Sequence, residues 1–297
     1  MWVKTSGQLS ENVFQLTTSV STHLLIAGDA TVLVDTGISP MHQRLTSELR
    51  KYLGEEGRLD FIFLTHAHFD HFGAVPYLRQ AHQGVMLITG PQTAAMLAKP
   101  EFLEEAYEKN LACAKAMKSD LGMAKEEWIA AMQVDRILGD GDAVDIGDGV
   151  EVKLISSPGH TEDSVSYYVK PDAALACGET IGAYGGRDKV YNCCTWSFAE
   201  YTESLERLAS LDVRILAFPH GGAVTGELVP KYFVEARQEV DRFQQMVKER
   251  LAQGELTHEI AESLLPEWQA QNICPEGPFA AEQEETLHAI VRTVSIV

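Results

Sequence analysis

The chain has 297 residues and a formal net charge of −19, from 43 acidic and 24 basic residues. This balance argues against nucleic-acid binding through a broad basic surface, and no apolar run approaches the length of a transmembrane helix. Hydrophobic residues make up 45% and charged residues 23%, which is typical of a globular protein that buries a core. The five cysteines are odd in number and form no Cys-x-x-Cys pair, which indicates reduced thiols. Because the N-terminus also lacks a signal-like segment, we expect a cytoplasmic protein.

Strand-like and helical segments alternate from the start of the chain. The first three strands are expected at Val13–Thr18, His23–Ala27 and Thr31–Asp35. Gly28 and Asp29 separate the last two, which is typical of a hairpin turn. Met41–Leu53 has a helical pattern and precedes the next strand. This alternation predicts mixed α/β layering.

The most informative stretch lies between residues 61 and 73. Phe61–Leu64 is a short apolar run without alternation, as expected of a buried strand. Four side chains able to bind a metal follow within six positions: His66, His68, Asp70 and His71. Residues two apart share a face in an extended segment, and a helix starting after His68 would turn the next two toward the same space. Imidazoles and a carboxylate at this density indicate a metal site.

The run from Thr65 to His71 resembles the His-x-His-x-Asp-His signature of the metallo-β-lactamase superfamily. The resemblance implies a four-layer αββα sandwich, a mixed α+β and α/β fold, with further ligands downstream. It also implies a supporting role for Asp35, because an Asp-Thr-Gly run commonly follows this strand and a carboxylate can orient a histidine ligand from behind. A simple turn aspartate is the alternative for Asp35.

Three later segments resemble the positions of the remaining family ligands. His160 follows a Pro-Gly turn that would expose its side chain, and His220 ends an apolar strand and precedes two glycines. In the family an aspartate within Gly-Asp-Thr bridges two metals, whereas this chain has Glu179 there. The longer side chain could bind after a backbone adjustment or leave one metal site empty, and we predict that it binds. The predicted metal ligands are His66, His68, Asp70, His71, His160, Glu179 and His220.

Two helical segments elaborate this arrangement. Between residues 91 and 135 apolar residues recur at intervals of three and four, which predicts a helical insertion over the mouth of the site. The tail, residues 229–297, is also helical, and Gly254 ends its long first helix. We expect a metallo-β-lactamase-like domain at 1–228 with the tail packed on it, and a homodimer through helical elements stays open. The plan resembles glyoxalase II-like and PqsE-like proteins.

The stretch from residue 184 to residue 196 is predicted to be a loop rich in aromatic side chains. Such a loop beside a metal would contact substrate, and a tyrosine or an arginine would stabilise an oxyanion. The candidate substrate-binding residues are Tyr184, Arg187, Tyr191 and Trp196. An ordinary ordered loop explains the same pattern.

The ligand set predicts a metal-dependent hydrolase. The resemblance implies two divalent ions, zinc first and iron or manganese as alternatives, that generate hydroxide near neutral pH. The hydroxide would attack a small ester, thioester, lactone or amide, with Asp70 as the catalytic residue that orients or deprotonates the water. Two alternatives are a mononuclear-iron sulfur dioxygenase using His66, His160 and Glu179, and a non-catalytic metal-binding regulator. The expected partner is a small-molecule substrate, with no nucleic acid and no membrane.

Overall fold

The computed structural model describes residues 1–186, 189–271 and 280–295. Within them the strands are β1 (Trp2–Val3), β2 (Gly7–Gln8), β3 (Val13–Thr17), β4 (Thr22–Ala27), β5 (Thr31–Val34), β6 (Phe61–Phe63), β7 (Met86–Thr89), β8 (Arg136–Ile137), β9 (Ala143–Asp145), β10 (Glu151–Ser156), β11 (Val165–Lys170), β12 (Ala174–Ala176), β13 (Ala183–Gly186), β14 (Lys189–Tyr191), β15 (Ile215–Phe218) and β16 (Gly222–Thr225). The helices are α1 (His42–Leu53), α2 (Phe69–Phe72), α3 (Val75–Ala81), α4 (Pro91–Leu97), α5 (Pro100–Ala116), α6 (Lys125–Ala130), α7 (Phe198–Ala209), α8 (Leu228–Ala252), α9 (Thr257–Gln271) and α10 (Ala280–Ser295). A 3₁₀ turn at Ser39–Met41 precedes α1.

Two seven-stranded sheets form the centre of the molecule. The first has the order β2-β3-β4-β5-β6-β7-β8, and the second has the order β1-β16-β15-β12-β11-β10-β9. The predicted hairpin between β4 and β5 is confirmed, since Ala27 pairs with Thr31 across the turn. From β5 to β8 the strands run parallel, as crossover connections through helices require.

Alternation along single strands shows how the layers are stacked. In β5, Leu33 packs with Leu45 and Leu49 of α1, whereas Val32 and Val34 point into the space between the two sheets. Both faces of the strand are therefore buried, which explains its continuous apolar sequence. The inner faces of the sheets pack on each other through a shared apolar cluster.

The outer face of the second sheet is covered by helices from the C-terminal half. Leu216 and Phe218 of β15 pack in one cluster with Tyr201 of α7, Val240 of α8 and Ile290 of α10. The predicted αββα sandwich is thus confirmed, with helical additions on both outer faces. The predicted division at residue 228 coincides with the start of α8 and stays a prediction. Among the described helices, none combines the length and the apolar character that crossing a bilayer requires.

Two local predictions were wrong. The aromatic stretch after residue 183 is not entirely a loop, because β13 and β14 form a hairpin in which Tyr184 pairs with Val190 and both side chains are buried. The apolar spacing in the insertion predicts a helical stripe that runs on through Leu121, but α5 ends at Ala116 and Lys118 adopts a left-handed φ of 55°. Leu121 is nevertheless buried, so burial of an apolar side chain continued the pattern beyond the helix itself.

Candidate metal centre

The four clustered ligand candidates are brought together by the end of β6. After Phe63 the chain bends at Thr65 and continues to His68, whose own backbone is extended, with φ and ψ of −76° and 138°. The short helix α2 then begins, and it carries Asp70 and His71 in its single turn. The segment before α2 and the helical turn bring their donor side chains together, as predicted, although the segment is not a continuous strand.

A first group of donors consists of three imidazoles and one carboxylate. His66, His68, His160 and Glu179 each offer one ligand atom, and these atoms lie within 4.8 Å of one another. The His68 Nδ1 atom is 3.0 Å from His66 Nε2 and 3.1 Å from His160 Nε2. The Glu179 Oε2 atom is 2.9 Å from His160 Nε2.

A second group adjoins the first and consists of Asp70, His71 and His220. The Asp70 Oδ2 atom lies 3.3 Å from His220 Nε2. Glu179 faces both groups, because its Oε2 atom is 3.6 Å from His66 Nε2 and also 3.6 Å from His71 Nε2. One carboxylate oxygen therefore stands between the two groups of donors.

Backbone carbonyls fix the tautomer of two histidines. The Nδ1 of His160 lies 2.5 Å from the Cys193 carbonyl oxygen, and the Nδ1 of His220 lies 2.9 Å from the Val20 carbonyl oxygen. A carbonyl oxygen only accepts, so each Nδ1 carries the proton that is donated. When the ring is neutral, each Nε2 is then left with its lone pair directed into the site, which is the form that binds a metal.

Asp35 orients two further histidines, His71 through a direct hydrogen bond and His66 through Thr65. It adopts a left-handed φ of 57°, and its carboxylate accepts hydrogen bonds from the Thr65 amide at 2.9 Å, the Thr65 hydroxyl at 2.8 Å and His71 Nδ1 at 2.9 Å. Because the Thr65 hydroxyl gives its proton to Asp35, it accepts from His66 Nδ1 at 3.0 Å. His66 and His71 therefore also direct unprotonated Nε2 atoms into the site when neutral.

The donor set fits divalent metal ions. His71 Nε2 is buried without a hydrogen-bond partner, and a buried polar atom of this kind is costly unless something else satisfies it. Ligands at the corners of a tetrahedral zinc site lie roughly 3.3 Å apart, close to the separations within the first group. Nitrogen and carboxylate donors are compatible with zinc, iron or manganese, so the geometry does not identify the metal.

The electrostatic environment of the donors also favours cations. Burial, reinforced by neighbouring imidazoles, lowers the pKa of His66 well below its usual value and that of His68 to about 4. Burial alone would raise the pKa of Asp70, but His71 and His220 outweigh it and hold that pKa at about 2. The pKa of Glu179 is likewise held well below its usual range by His160 despite burial.

The pKa values of three histidines are raised instead. Burial would lower the pKa of His71, but the carboxylates of Asp35 and Asp70 outweigh it and raise that pKa well above its usual value. Against the same effect of burial, Glu179 raises the pKa of His160, and Asp70 raises that of His220. Without a metal these carboxylates favour the protonated form of the imidazoles. A divalent ion would replace those protons, so metal binding strengthens as the pH rises.

The candidate substrate residues occupy different environments. Tyr184 is buried with its ring 4.9 Å from that of Trp2, whereas Tyr191 is half-buried beside Trp268. Trp196 is 51% exposed, and its backbone amide bonds to the carbonyl oxygen of Gly159, next to His160. Arg187 lies outside the described residues. Exposure thus favours Trp196 among these candidates, and all four roles stay predictions.

Several supporting residues were not foreseen from the sequence. The Asp163 carboxylate accepts from the Ala67 amide at 2.7 Å and from the Thr93 hydroxyl at 2.7 Å, which fixes the backbone between the first two histidines. Asn110 of the insertion contacts the turn before Asp70, and His23 is buried behind the site. Nothing in the local sequence of Asn110 or His23 marks them as supporting residues. The one available signal was that Asp163 follows the Pro-Gly-His-Thr run by two positions.

An αββα sandwich with histidines and carboxylates gathered at one edge of its sheets defines a metal-binding protein of the metallo-β-lactamase kind. The model of the metallo-β-lactamase superfamily matches residues 17–220. The chain therefore belongs to the metallo-β-lactamase superfamily.

Individual relatives and solved structures agree with this assignment. The chain is 27% identical over 178 residues to a metallo-β-lactamase fold-containing protein of Sulfurisphaera tokodaii, covering 59% of this chain and 65% of that protein. The crystal structure of that protein superposes with a TM-score of 0.58 at 22% identity over 94% of each chain. A subclass B3 metallo-β-lactamase of Bradyrhizobium japonicum gives 0.57 at 17% identity, over 84% and 96% of the two chains.

A hydroxyacylglutathione hydrolase of Acidiphilium cryptum is 29% identical over 164 residues, or 54% of this chain and 49% of that protein. The match thus spans less than two thirds of the S. tokodaii relative and about half of this hydrolase. The structural likenesses show the fold, and activity has to be argued from the site.

Proposed function

We propose that the protein is a metal-dependent hydrolase of a small ester, thioester, lactone or amide. The observation that carries the proposal is the convergence of seven donor side chains into two adjoining groups, with the Glu179 carboxylate between them. His66, His68 and His160 would hold one divalent ion, and Asp70, His71 and His220 would hold the other. Such ions lower the pKa of water toward neutrality and stabilise negative charge on a carbonyl oxygen.

The chain's own residues supply binding, orientation and proton transfer. Asp70 is suited to orienting the attacking water, because its side chain is 14% exposed and its low pKa keeps it ionised at neutral pH. A carboxylate in that state accepts a hydrogen bond from the water, and as a weak base it would take up the proton only from water whose own pKa a bound metal has lowered. The hydrogen bond from His160 Nδ1 to the Cys193 carbonyl holds the imidazole of His160 in its orientation.

Thioesters are the first substrate class to test. The chain is similar to a protein named a hydroxyacylglutathione hydrolase, and a hydroxyacylglutathione is a thioester. This similarity suggests thioesters as the substrate class for this chain, without identifying the substrate. The exposed indole of Trp196 offers an apolar surface beside the loop that carries His160. The net charge of −19 disfavours polyanionic substrates unless a local basic patch offsets it.

The test combines metal analysis with turnover of a panel of thioesters and lactones. We expect two metal ions per chain and hydrolysis of at least one class, with turnover abolished in a His68→Ala variant. A matched control is His258→Ala, which removes an exposed histidine of α9. Retention of full activity by His68→Ala would refute the hydrolase mechanism.

The same preparation separates the two alternative functions. Oxygen consumption by iron-loaded protein with a persulfide donor would favour the mononuclear sulfur dioxygenase. Protein that binds metal but turns over neither substrate class nor the persulfide would favour a metal-binding regulator. A small-molecule partner, a homodimer through helical elements and a cytoplasmic location stay predictions, and light scattering would test the oligomeric state.

A further inference from the structure

The helical insertion contacts α2, the short helix that carries Asp70 and His71. Helix α5 lies beside α2, and the ring of Phe72 in α2 is 6.2 Å from that of Phe102 in α5 and 6.0 Å from that of Trp128 in α6. Asp70 and His71 occupy the same short helix. The insertion is therefore part of the scaffold beneath the second donor group, in addition to any role as a cover.

Asn110 is the polar link between the insertion and this turn. Its side chain is fully buried, and its Oδ1 accepts a hydrogen bond from the Ser39 amide at 2.7 Å. Its Nδ2 donates to the carbonyl oxygens of Ala106 at 3.0 Å and Phe69 at 3.4 Å. An amide N–H only donates and a carbonyl only accepts, so these partners fix the orientation of the side-chain amide.

The Asn110 side chain is closely packed against the backbone at Gly73 and Ser39. A Cβ atom added at Gly73 would lie 2.5 Å from the Asn110 Oδ1 atom and 2.7 Å from the Ser39 nitrogen. Trp128 completes the packing, because its indole N–H donates to the Ser39 hydroxyl at 3.0 Å and to the Gly73 carbonyl at 3.1 Å. Both segments that flank Asp70 and His71 are thus tied to the insertion.

We infer that Asn110 is a positioning residue for the second donor group. It holds the Phe69 carbonyl and the Ser39 amide at a fixed separation, and so sets the direction in which Asp70 and His71 project. The inference rests on the proposed function only in that Asp70 and His71 bind a metal. The insertion accordingly determines metal affinity at this group through a side chain that does not touch the metal.

The test compares Asn110→Leu and Asn110→Ala with Tyr107→Phe. Tyr107 is on the same helix and its hydroxyl donates to the Met123 carbonyl, away from the turn, so its loss is a matched control. In metal-free protein, amide hydrogen exchange in residues 69–75 should be about tenfold faster in both Asn110 variants, because a buried bonding group is removed. It should stay within about twofold in Tyr107→Phe. The alanine variant serves if the leucine variant does not fold.

Zinc affinity in competition with a chelator supplies the second readout. An Asp70→Asn variant identifies which zinc equivalent belongs to the second group. That equivalent should bind 10- to 100-fold more weakly in the Asn110 variants, of the order seen when supporting residues around metal ligands are changed, while the other equivalent stays unchanged. Equal weakening of both equivalents, or a change in only one of the two readouts, would overturn the inference.

The same data separate this inference from the proposed function. If Asp70→Asn binds both zinc ions as tightly as the parent, the ligand assignment is refuted, and Asn110 cannot position a ligand there. The exchange data would then show only whether Asn110 stabilises the turn.

Discussion

The two halves of the molecule contribute to the site in different ways. The N-terminal half supplies four donors between residues 66 and 71, whereas the C-terminal half supplies three that are dispersed between residues 160 and 220. The compact cluster is supported by the buried side chains of Asp35, Asn110 and Asp163. The dispersed histidines instead donate to backbone carbonyls. Donors crowded into six consecutive positions depend on side chains from distant parts of the chain, while the dispersed histidines are held by backbone carbonyls.

We expect the largest loss of stability and metal binding in an Asp35→Asn variant, because the donors of the N-terminal half depend on this one carboxylate. Asparagine tolerates the left-handed backbone, but its amide N–H would face either the Thr65 amide proton or the Nδ1 proton of His71, where a carboxylate oxygen now accepts each of them. His71 would be left without its charge partner, or would change tautomer and direct an N–H into the site. We expect the metal-free protein to lose about 4 kcal/mol of stability, measured by urea unfolding, together with metal at the second group.

Asp60→Asn is a matched control, because Asp60 also accepts a hydrogen bond from a strand amide, that of Thr31 at 3.0 Å, away from the site. Its loss should cost about 1 kcal/mol. Comparable losses in the two variants would show that Asp35 has no special importance for the compact cluster.

The buried His23 should make the N-terminal half sensitive to acid. Burial lowers the pKa of His23 to about 4 although Asp35 opposes the shift, and its Nδ1 has no hydrogen-bond partner. The unfolded chain gains a proton at His23 below about pH 6.5, whereas the folded chain gains it only below about 4, so stability is lost as the pH falls through this window. The full loss is about 3 kcal/mol.

The measurement is the pH dependence of urea unfolding in metal-free protein between pH 7 and 4, for the parent and a His23→Gln variant. The difference between their slopes isolates His23 from the histidines of the site. His258→Gln, at an exposed position, is the control. Equal slopes in the parent and His23→Gln would contradict the prediction.

Glu179 belongs to the C-terminal half, but its carboxylate stands between donors from both halves. A change at Glu179 therefore tests how the two halves combine at the site. A Glu179→Asp change withdraws the oxygen by about 1.5 Å and should weaken one metal equivalent by 10- to 100-fold. Elemental analysis of the parent should give two metals per chain, with fewer in the variant. One metal in the parent and two in the variant would show that the glutamate blocks the second site.

Local sequence was sufficient to predict the compact cluster, because its donors are neighbours in the chain and the strand before them is uniformly apolar. His160 and His220 could be predicted from turn residues at strand ends together with the family resemblance. The supporting side chains could not: Asp163 is 96 positions from Ala67, and Asn110 is 71 positions from Ser39. Such contacts follow from tertiary packing, on which helical or strand periodicity carries no information.

The smallest effect is expected where the helical tail touches the site. Thr293 of α10 donates to the Thr195 carbonyl at 3.2 Å, but it also donates to Ala289 within its own helix at 2.9 Å. Thr195 in turn donates to the His160 carbonyl through its amide and its hydroxyl. A Thr293→Val change removes both of these hydrogen bonds, but only the longer one reaches the loop, and His160 keeps its own bond to Cys193. We therefore expect zinc affinity within about threefold of the parent and a stability loss of about 1 kcal/mol or less.

A tenfold loss of zinc affinity in Thr293→Val would show that the tail supports the dispersed donors as strongly as the insertion supports the compact ones, and the contrast between the two halves would fail.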